Sequence, residues 1–118
     1  MKKSEIKKLD KIWAEKVKER ANYICEWCLE TDVWLNSAHI LGRRYRGTRW
    51  LLMNGLCLCY GCHRKYDEHA PEAEQIRRVL IGKERMDKLL AIKQGVTKNQ
   101  DFEEIKRTLL EAYKEMSK

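Results

Sequence analysis

Cys25-Glu-Trp-Cys28 and Cys59-Tyr-Gly-Cys62 are two C-x-x-C pairs separated by 30 residues. In each, a tight turn lets two thiolates point at one ion, and two such knuckles complete a tetrahedral four-sulfur site of the kind that holds Zn²⁺ for structural purposes. A thioredoxin-like redox pair is the competing chemistry. It needs a βαβ surrounding that this sequence lacks, and it would account for one pair only. A disulfide framework is disfavoured because the N-terminal Met-Lys-Lys-Ser-Glu-Ile runs into alternating charge, with no apolar segment of a secretory signal. The expected location is therefore the cytoplasm. The fifth cysteine, Cys57, alternates with Leu56 and Leu58 and reads as a small core residue.

The charge distribution points to a polyanionic partner. Twenty-five Lys and Arg against eighteen Asp and Glu give a formal net charge of +7 over 118 residues. Both ends of the chain mix the two signs as solvated helix faces do. From Val33 to Tyr66 there is no acidic residue, while Arg43, Arg44, Arg46, Arg49, Arg64 and Lys65 all fall there. Guanidinium forks suit phosphate oxygens, and such contacts give salt-dependent affinity without reading base sequence. A phosphate-bearing polyanion such as a nucleic acid is the expected partner for Arg43, Arg44, Arg46, Arg49 and Lys65. Trp27, Trp34 and Tyr45 are either stacking platforms for bases or core aromatics. A charged fraction of 36% and an apolar fraction of 43% exclude a collagen-like or membrane-spanning chain, and no apolar run approaches the ~20 residues a bilayer helix needs.

The elements that must position these residues follow from periodicity. Ile6, Leu9, Trp13 and Val17 recur at three- and four-residue steps, predicting an amphipathic helix from Ser4, as its N-cap, to Ala21. Short β-prone runs at Val33–Leu35, Ala38–Leu41 and Gly55–Leu58 predict a two-stranded hairpin carrying a long basic loop. A short helix is expected from Tyr60 to before Pro71. It would place Asp67 four residues after His63, on one helix face about a turn away. Pro71 suits a first helical position, Gly82 interrupts the next helical stretch, and Gly95 stops it. A last helix begins near Asp101 and lines up Phe102, Ile105, Leu109, Ala112, Tyr113 and Met116, with 94–100 as the flexible connection. The organisation is one domain over 1–118: an N-terminal helix (1–24), a zinc-stapled core (25–70) and C-terminal helices (71–118).

His39, Asn54 and His63 occur in that order, threaded through the C-x-x-C frame, with His63 directly after Cys62. In this arrangement the sequence resembles the HNH endonucleases of the ββα-metal or His-Me finger superfamily. The strings Ser37-Ala38-His39-Ile40, Gly42-Arg43-Arg44-Tyr45 and Asn54-Gly55-Leu56-Cys57-Leu58-Cys59 are similar to small HNH proteins of phages and prophages. The match covers about Cys25 to Glu68 and leaves the first and last helices unaccounted for. The resemblance implies an α+β fold, with a ββα-metal core and a four-cysteine zinc site flanked by helices. It implies a metal-dependent DNA endonuclease in which His39 is the general base, Asn54 holds the loop of that base across the hairpin, and His63 binds one divalent ion, Mg²⁺ or Mn²⁺. Asp67 is the natural second ligand for a hard cation; Glu68 is a weaker candidate and His69 a surface residue.

The sequence departs from the family in one place. Many members carry Asp or His just before the general base, where it helps bind the metal; here the position is Ala38. Two other readings therefore stand beside the nuclease: a non-catalytic zinc-stabilised DNA-binding or adaptor module, and a structure-specific nuclease of recombination or phage genome processing. A packaging or recombination protein is a candidate partner, in the host cytoplasm if the chain is phage-encoded. No membrane association is expected, and the oligomeric state is left open.

Overall fold

The structure, a computed structural model, describes residues 1–95 and 100–116, with side chains to residue 111. The architecture is α+β: a two-stranded antiparallel sheet between helices. The order along the chain is α1 (Lys3–Arg20), β1 (Leu35–His39), the one-turn α2 (Arg46–Arg49), a 3₁₀ turn (Leu52–Asn54) and β2 (Gly55–Cys59). Then follow α3 (Tyr60–Asp67), α4 (Pro71–Ile76), a π-helical turn (Arg77–Ile81), α5 (Gly82–Gln94) and α6 (Phe102–Met116). No helix among the described residues is long and apolar enough to cross a membrane.

The sheet register pairs Leu35 with Cys59, Ser37 with Cys57 and His39 with Gly55. Because side chains alternate along a strand, this register separates two faces. Ala38, Leu56 and Leu58 pack with Cys62 and Tyr66 of α3 and with Ala73 and Ile76 of α4. Cys57 packs on the opposite face with Leu9, Trp13 and Val17 of α1, joined by Trp50 and by Leu109 of α6. Cys57 is fully buried, as its alternation with two leucines predicts. Ser37 on that face donates to the Ala14 carbonyl at 2.6 Å. Gly55 is required by the same packing: a Cβ there would meet the side chains of Val17 and Trp13, 2.8 Å from Trp13 Cζ2. Helix α1 therefore lies directly on the start of β2.

Three details differ from the sequence reading. The N-cap of α1 is Lys2, whose backbone amide donates to Glu5 Oε1 at 2.8 Å, and Ser4 lies inside the helix. The first strand starts at Leu35. Val33 and Trp34 precede it, and Trp34 is 81% exposed, because β2 ends at Cys59 and offers them no partner. Gly82, read as an interruption, has φ of +77° and joins a π-helical turn to α5, so the chain changes direction there without a loop. Pro71 opens α4, and Asp101 precedes α6 with its carboxylate accepting from the Glu103 amide at 3.0 Å. The flexible connection expected over 94–100 falls mainly on 96–99, outside the described residues, as do the side chains of Ala112, Tyr113 and Met116.

Candidate functional site

The two C-x-x-C pairs meet although one precedes the sheet and the other joins β2 to α3. The sulfurs of Cys25, Cys28, Cys59 and Cys62 all lie within 4.8 Å of one another, and Cys28 Sγ is 3.7 Å from Cys59 Sγ. A tetrahedral ion with Zn–S bonds of ~2.3 Å has sulfurs about 3.8 Å apart, so the spacing fits such an ion. The thiols are also electrostatically arranged for one. Burial raises the Cys25 thiol, but the backbone amides of Cys59, Cys28 and Trp27 outweigh it and lower the pKa to about 7. Cys62 is pushed far up, first by burial and then by the neighbouring sulfurs of Cys59, Cys28 and Cys25. A dication relieves that crowding of negative charge. These four residues can hold a metal ion such as zinc, and among the described residues they are the sole cluster of three or more metal-binding side chains.

Glu26 fastens the first knuckle to the free edge of β2. Its amide donates to the Cys57 carbonyl at 2.8 Å, and its carboxylate accepts from the Cys57 amide at 2.6 Å. Arg20 at the end of α1 closes the ion pair with Glu26 at 3.3 Å. The Cys57 thiol, outside the metal cluster, is pushed up to about 11 by burial and then by Glu26.

His39 ends β1 and is half-buried. Its Nε2 lies 3.0 Å from the Arg49 carbonyl, an oxygen that only accepts, so this nitrogen carries the proton and Nδ1 is left with the free lone pair. The ring stacks on Trp13, with centroids 3.8 Å apart and planes inclined by 10°. Burial holds the His39 pKa below its usual value, and the neutral imidazole prevails at neutral pH. Asp10 of α1 supports this arrangement from behind. Its carboxylate accepts from Arg49 Nε at 3.0 Å, Arg49 Nη2 at 2.7 Å and Trp50 Nε1 at 2.9 Å. Burial raises the Asp10 carboxyl, but those donors outweigh it and leave it below the usual range. Arg49 is thus turned to Asp10 and away from solvent.

Asn54 is fully buried and bonds the chain just beyond His39 at three points. Its Oδ1 accepts from the Leu41 amide at 2.8 Å, its Nδ2 donates to the Leu41 carbonyl at 3.0 Å, and its own carbonyl accepts from the Ile40 amide at 2.9 Å. The turn that carries Asn54 is itself clamped by two arginines that sequence reasoning did not single out. Arg20 Nη1 donates to the Leu52 carbonyl at 2.6 Å and Arg85 Nε to the Met53 carbonyl at 2.7 Å. Both also reach the Gly55 carbonyl, each at 2.8 Å.

On α3, His63 Nε2 and Asp67 Oδ2 are 3.2 Å apart, the (i, i+4) pairing expected from their spacing. His39, His63, Asp67 and Arg43 line one open cleft of about 480 Å³, together with Asp10 and Trp13. Asn54 is not among the residues that line the cleft. Ala38 borders the cleft with a methyl group that packs among core residues, so the strand adds no ligand atom at that position. Glu68 pairs with Arg64 at 2.9 Å, and His69 is exposed beside Arg77. Lys65 is exposed on α3. Arg44 and Arg46 lie beyond Arg43 in the loop after β1, also exposed. Compared with known protein families, curated proteins and solved structures, the chain matches none.

Proposed function

We propose that the chain is a metal-dependent DNA endonuclease that hydrolyses phosphodiester bonds, built on a ββα-metal core of the HNH kind. The observation that carries this reading is the cleft itself. A neutral histidine with a fixed tautomer faces the same space as a His–Asp pair and an arginine.

In this reading His39 accepts a proton at Nδ1 from the water that attacks phosphorus, a task that suits an imidazole neutral at the working pH. Donation from Nε2 to the Arg49 carbonyl keeps the ring oriented and stabilises the imidazolium that forms. Asn54 keeps residues 40–41 in place, so His39 cannot swing from the cleft with its loop. Arg43 holds a phosphate oxygen at the cleft wall, while Arg44, Arg46 and Lys65 extend the contact along the backbone. His63 and Asp67 offer one nitrogen and one carboxylate oxygen, a donor pair that fits one side of a Mg²⁺ or Mn²⁺ shell completed by water and phosphate. Such an ion would supply charge stabilisation to the pentacoordinate phosphorus and to the leaving 3′ oxygen. Zn²⁺ in the four-cysteine cluster is structural, pinning the segment before β1 to the start of α3.

Ala38 favours a second reading, a zinc-stabilised DNA-binding adaptor without turnover, because His63 and Asp67 are left to hold the ion by themselves. Nicking of supercoiled plasmid in Mg²⁺ or Mn²⁺, with an EDTA control and His39→Ala alongside, separates the two. Metal-dependent nicking that is lost in the variant supports the nuclease. DNA binding with no nicking in either ion supports the adaptor. Branched and linear duplexes compared in the same assay test for a structure-specific enzyme.

A further inference from the structure

The basic loop, together with the end of α5 and the approach to α6, builds a second cleft that shares no lining residue with the one at His39. It measures about 640 Å³ and is lined by Arg44, Tyr45, Arg46, Lys93 and Gln100, among others. These residues come from three separate segments: the loop into α2, the last turn of α5 and the approach to α6. Among the described residues, no acidic one lines the cleft.

Its cations are uncompensated. Among the described residues, Arg44, Arg46 and Lys93 have no carboxylate partner within 4 Å, whereas Arg49, Arg64, Arg78, Lys83 and Lys88 each have one. Tyr45 organises the group. Lys93 Nζ lies 4.3 Å from its ring centroid and Arg44 Cζ 4.8 Å, and Arg44 Nη2 donates to its hydroxyl at 2.6 Å. Gln100 ties the loop to the approach of α6 through a 2.8 Å bond to the Arg46 carbonyl. Both cations lie close to the Tyr45 ring. What they present is clustered positive charge with hydrogen-bond donors, which is the chemistry that takes a phosphate.

We infer that Arg44, Arg46, Lys93 and the Tyr45 hydroxyl form a phosphate-binding site that takes a backbone phosphodiester of the bound DNA, away from the phosphate that is cleaved. The inference rests on the nuclease reading for the identity of the DNA strand. It gives α5 a role in substrate binding beyond packing. A phosphate held here and another held at Arg43 fix the backbone on both sides of the 42–47 loop, which sets the direction in which the strand crosses His39.

The test is equilibrium binding of zinc-loaded protein to a fluorescent 20-base-pair duplex in Mg²⁺-free buffer, as a function of salt. Lys93→Gln and Arg44→Gln are compared with wild type. Lys83→Gln, at the other end of α5 and paired with Asp87, is the control. Each of the first two is expected to weaken binding several-fold and to reduce the slope of log K against log salt by about one, as loss of one phosphate contact does. Lys83→Gln is expected to match wild type. Wild-type affinity and slope in both Lys93→Gln and Arg44→Gln overturn the inference. So does saturation of the site by millimolar inorganic phosphate, followed by NMR at Tyr45, with DNA binding unaffected by that phosphate beyond its ionic strength. Because no cleavage is measured, failure of the nuclease reading shows up separately, as wild-type protein that binds DNA and nicks none of it.

Discussion

The indole of Trp13 and the imidazole of His39 lie face to face, 3.8 Å between centroids, although 25 residues and a change of secondary structure separate them. The stack contributes to the burial that holds the His39 pKa down. Trp13 removes water from one ring face, and burial is the largest influence on the His39 pKa. The charged groups around the ring act in both directions: Arg43 and Arg49 lower its pKa, and Asp10 raises it. Trp13→Phe, which retains a ring, should keep the pKa depressed. Trp13→Ala should let it rise toward ~6.5, the value of an unperturbed imidazole. An NMR titration of the His39 ring protons reads both, and an unchanged pKa in Trp13→Ala would mean that the stack does not control desolvation.

The same depressed pKa sets a pH dependence of stability. The unfolded chain protonates this histidine near pH 6.5, while the folded chain resists protonation until lower pH. The unfolded state therefore binds more protons in that window, and stability that is full above about pH 6.5 is lost as pH falls through the folded pKa. Urea unfolding from pH 7.5 to 5 should show this decline, and His39→Gln should flatten it. Under the nuclease reading, plasmid nicking follows the same deprotonation and reaches its plateau near neutral pH. A rate that rises tenfold per unit above pH 8 would identify a different base.

Local regularities in the chain foreshadowed much of this. The stripe Leu9, Trp13, Val17 announced a buried helix face, and the repeated C-x-x-C announced the sulfur cluster, because both depend on short spacings. The partnership of Asp10 with Arg49 spans 39 residues and left no local trace. On a helix of alternating charge, Asp10 looks like any solvated acid, and Arg49 looks like its neighbours in a basic loop. The geometry separates them: Arg49 orients the histidine through its carbonyl, and Arg43, Arg44 and Arg46 remain without carboxylate partners among the described residues. Arg20 and Arg85 were invisible for the same reason. Each sits on a mixed-charge helix, and the three carbonyls they cap belong to a turn that only tertiary packing brings within reach.

Those two arginines make the Asn54 turn a point of high sensitivity. Asn54→Ala removes both partners of the half-buried Leu41 amide and carbonyl, and leaving such groups unmade costs up to about 1–3 kcal/mol each. Asn54→Asp keeps an acceptor for the Leu41 amide but sets a carboxylate against the Leu41 carbonyl, and should destabilise at least as much. Arg85→Met removes hydrogen bonds from a half-buried guanidinium to Met53 and Gly55, worth about 1.5–3 kcal/mol for a charged donor. Chemical denaturation checks all three. A loss below about 0.5 kcal/mol in Arg85→Met would show that water substitutes freely for the guanidinium.

The four-cysteine cluster joins two segments that have few other ties, and this decides how the fold should respond to losing its metal. The first knuckle is held by Glu26, by the packing of Cys25 and Trp27 on the core and by the sulfurs, and the second continues directly into α3, which carries His63 and Asp67. Cys59→Ser should therefore lower bound zinc from about one equivalent per chain to near none and lower Tm by well over 10 °C, since ligation of such small sites supplies much of their folding energy. A strong chelator should do the same to the wild type. Cys57→Ala is the matched control: its thiol is buried on the α1 side of the sheet and belongs to no ligand set, so zinc content should be unchanged, with a cost of about 1 kcal/mol from lost packing. Near-zero zinc in the wild type and in both variants, with equal melting in Cys59→Ser and Cys57→Ala, would show that the four sulfurs gather without an ion, and that the hydrophobic faces of the sheet hold the two knuckles together unaided.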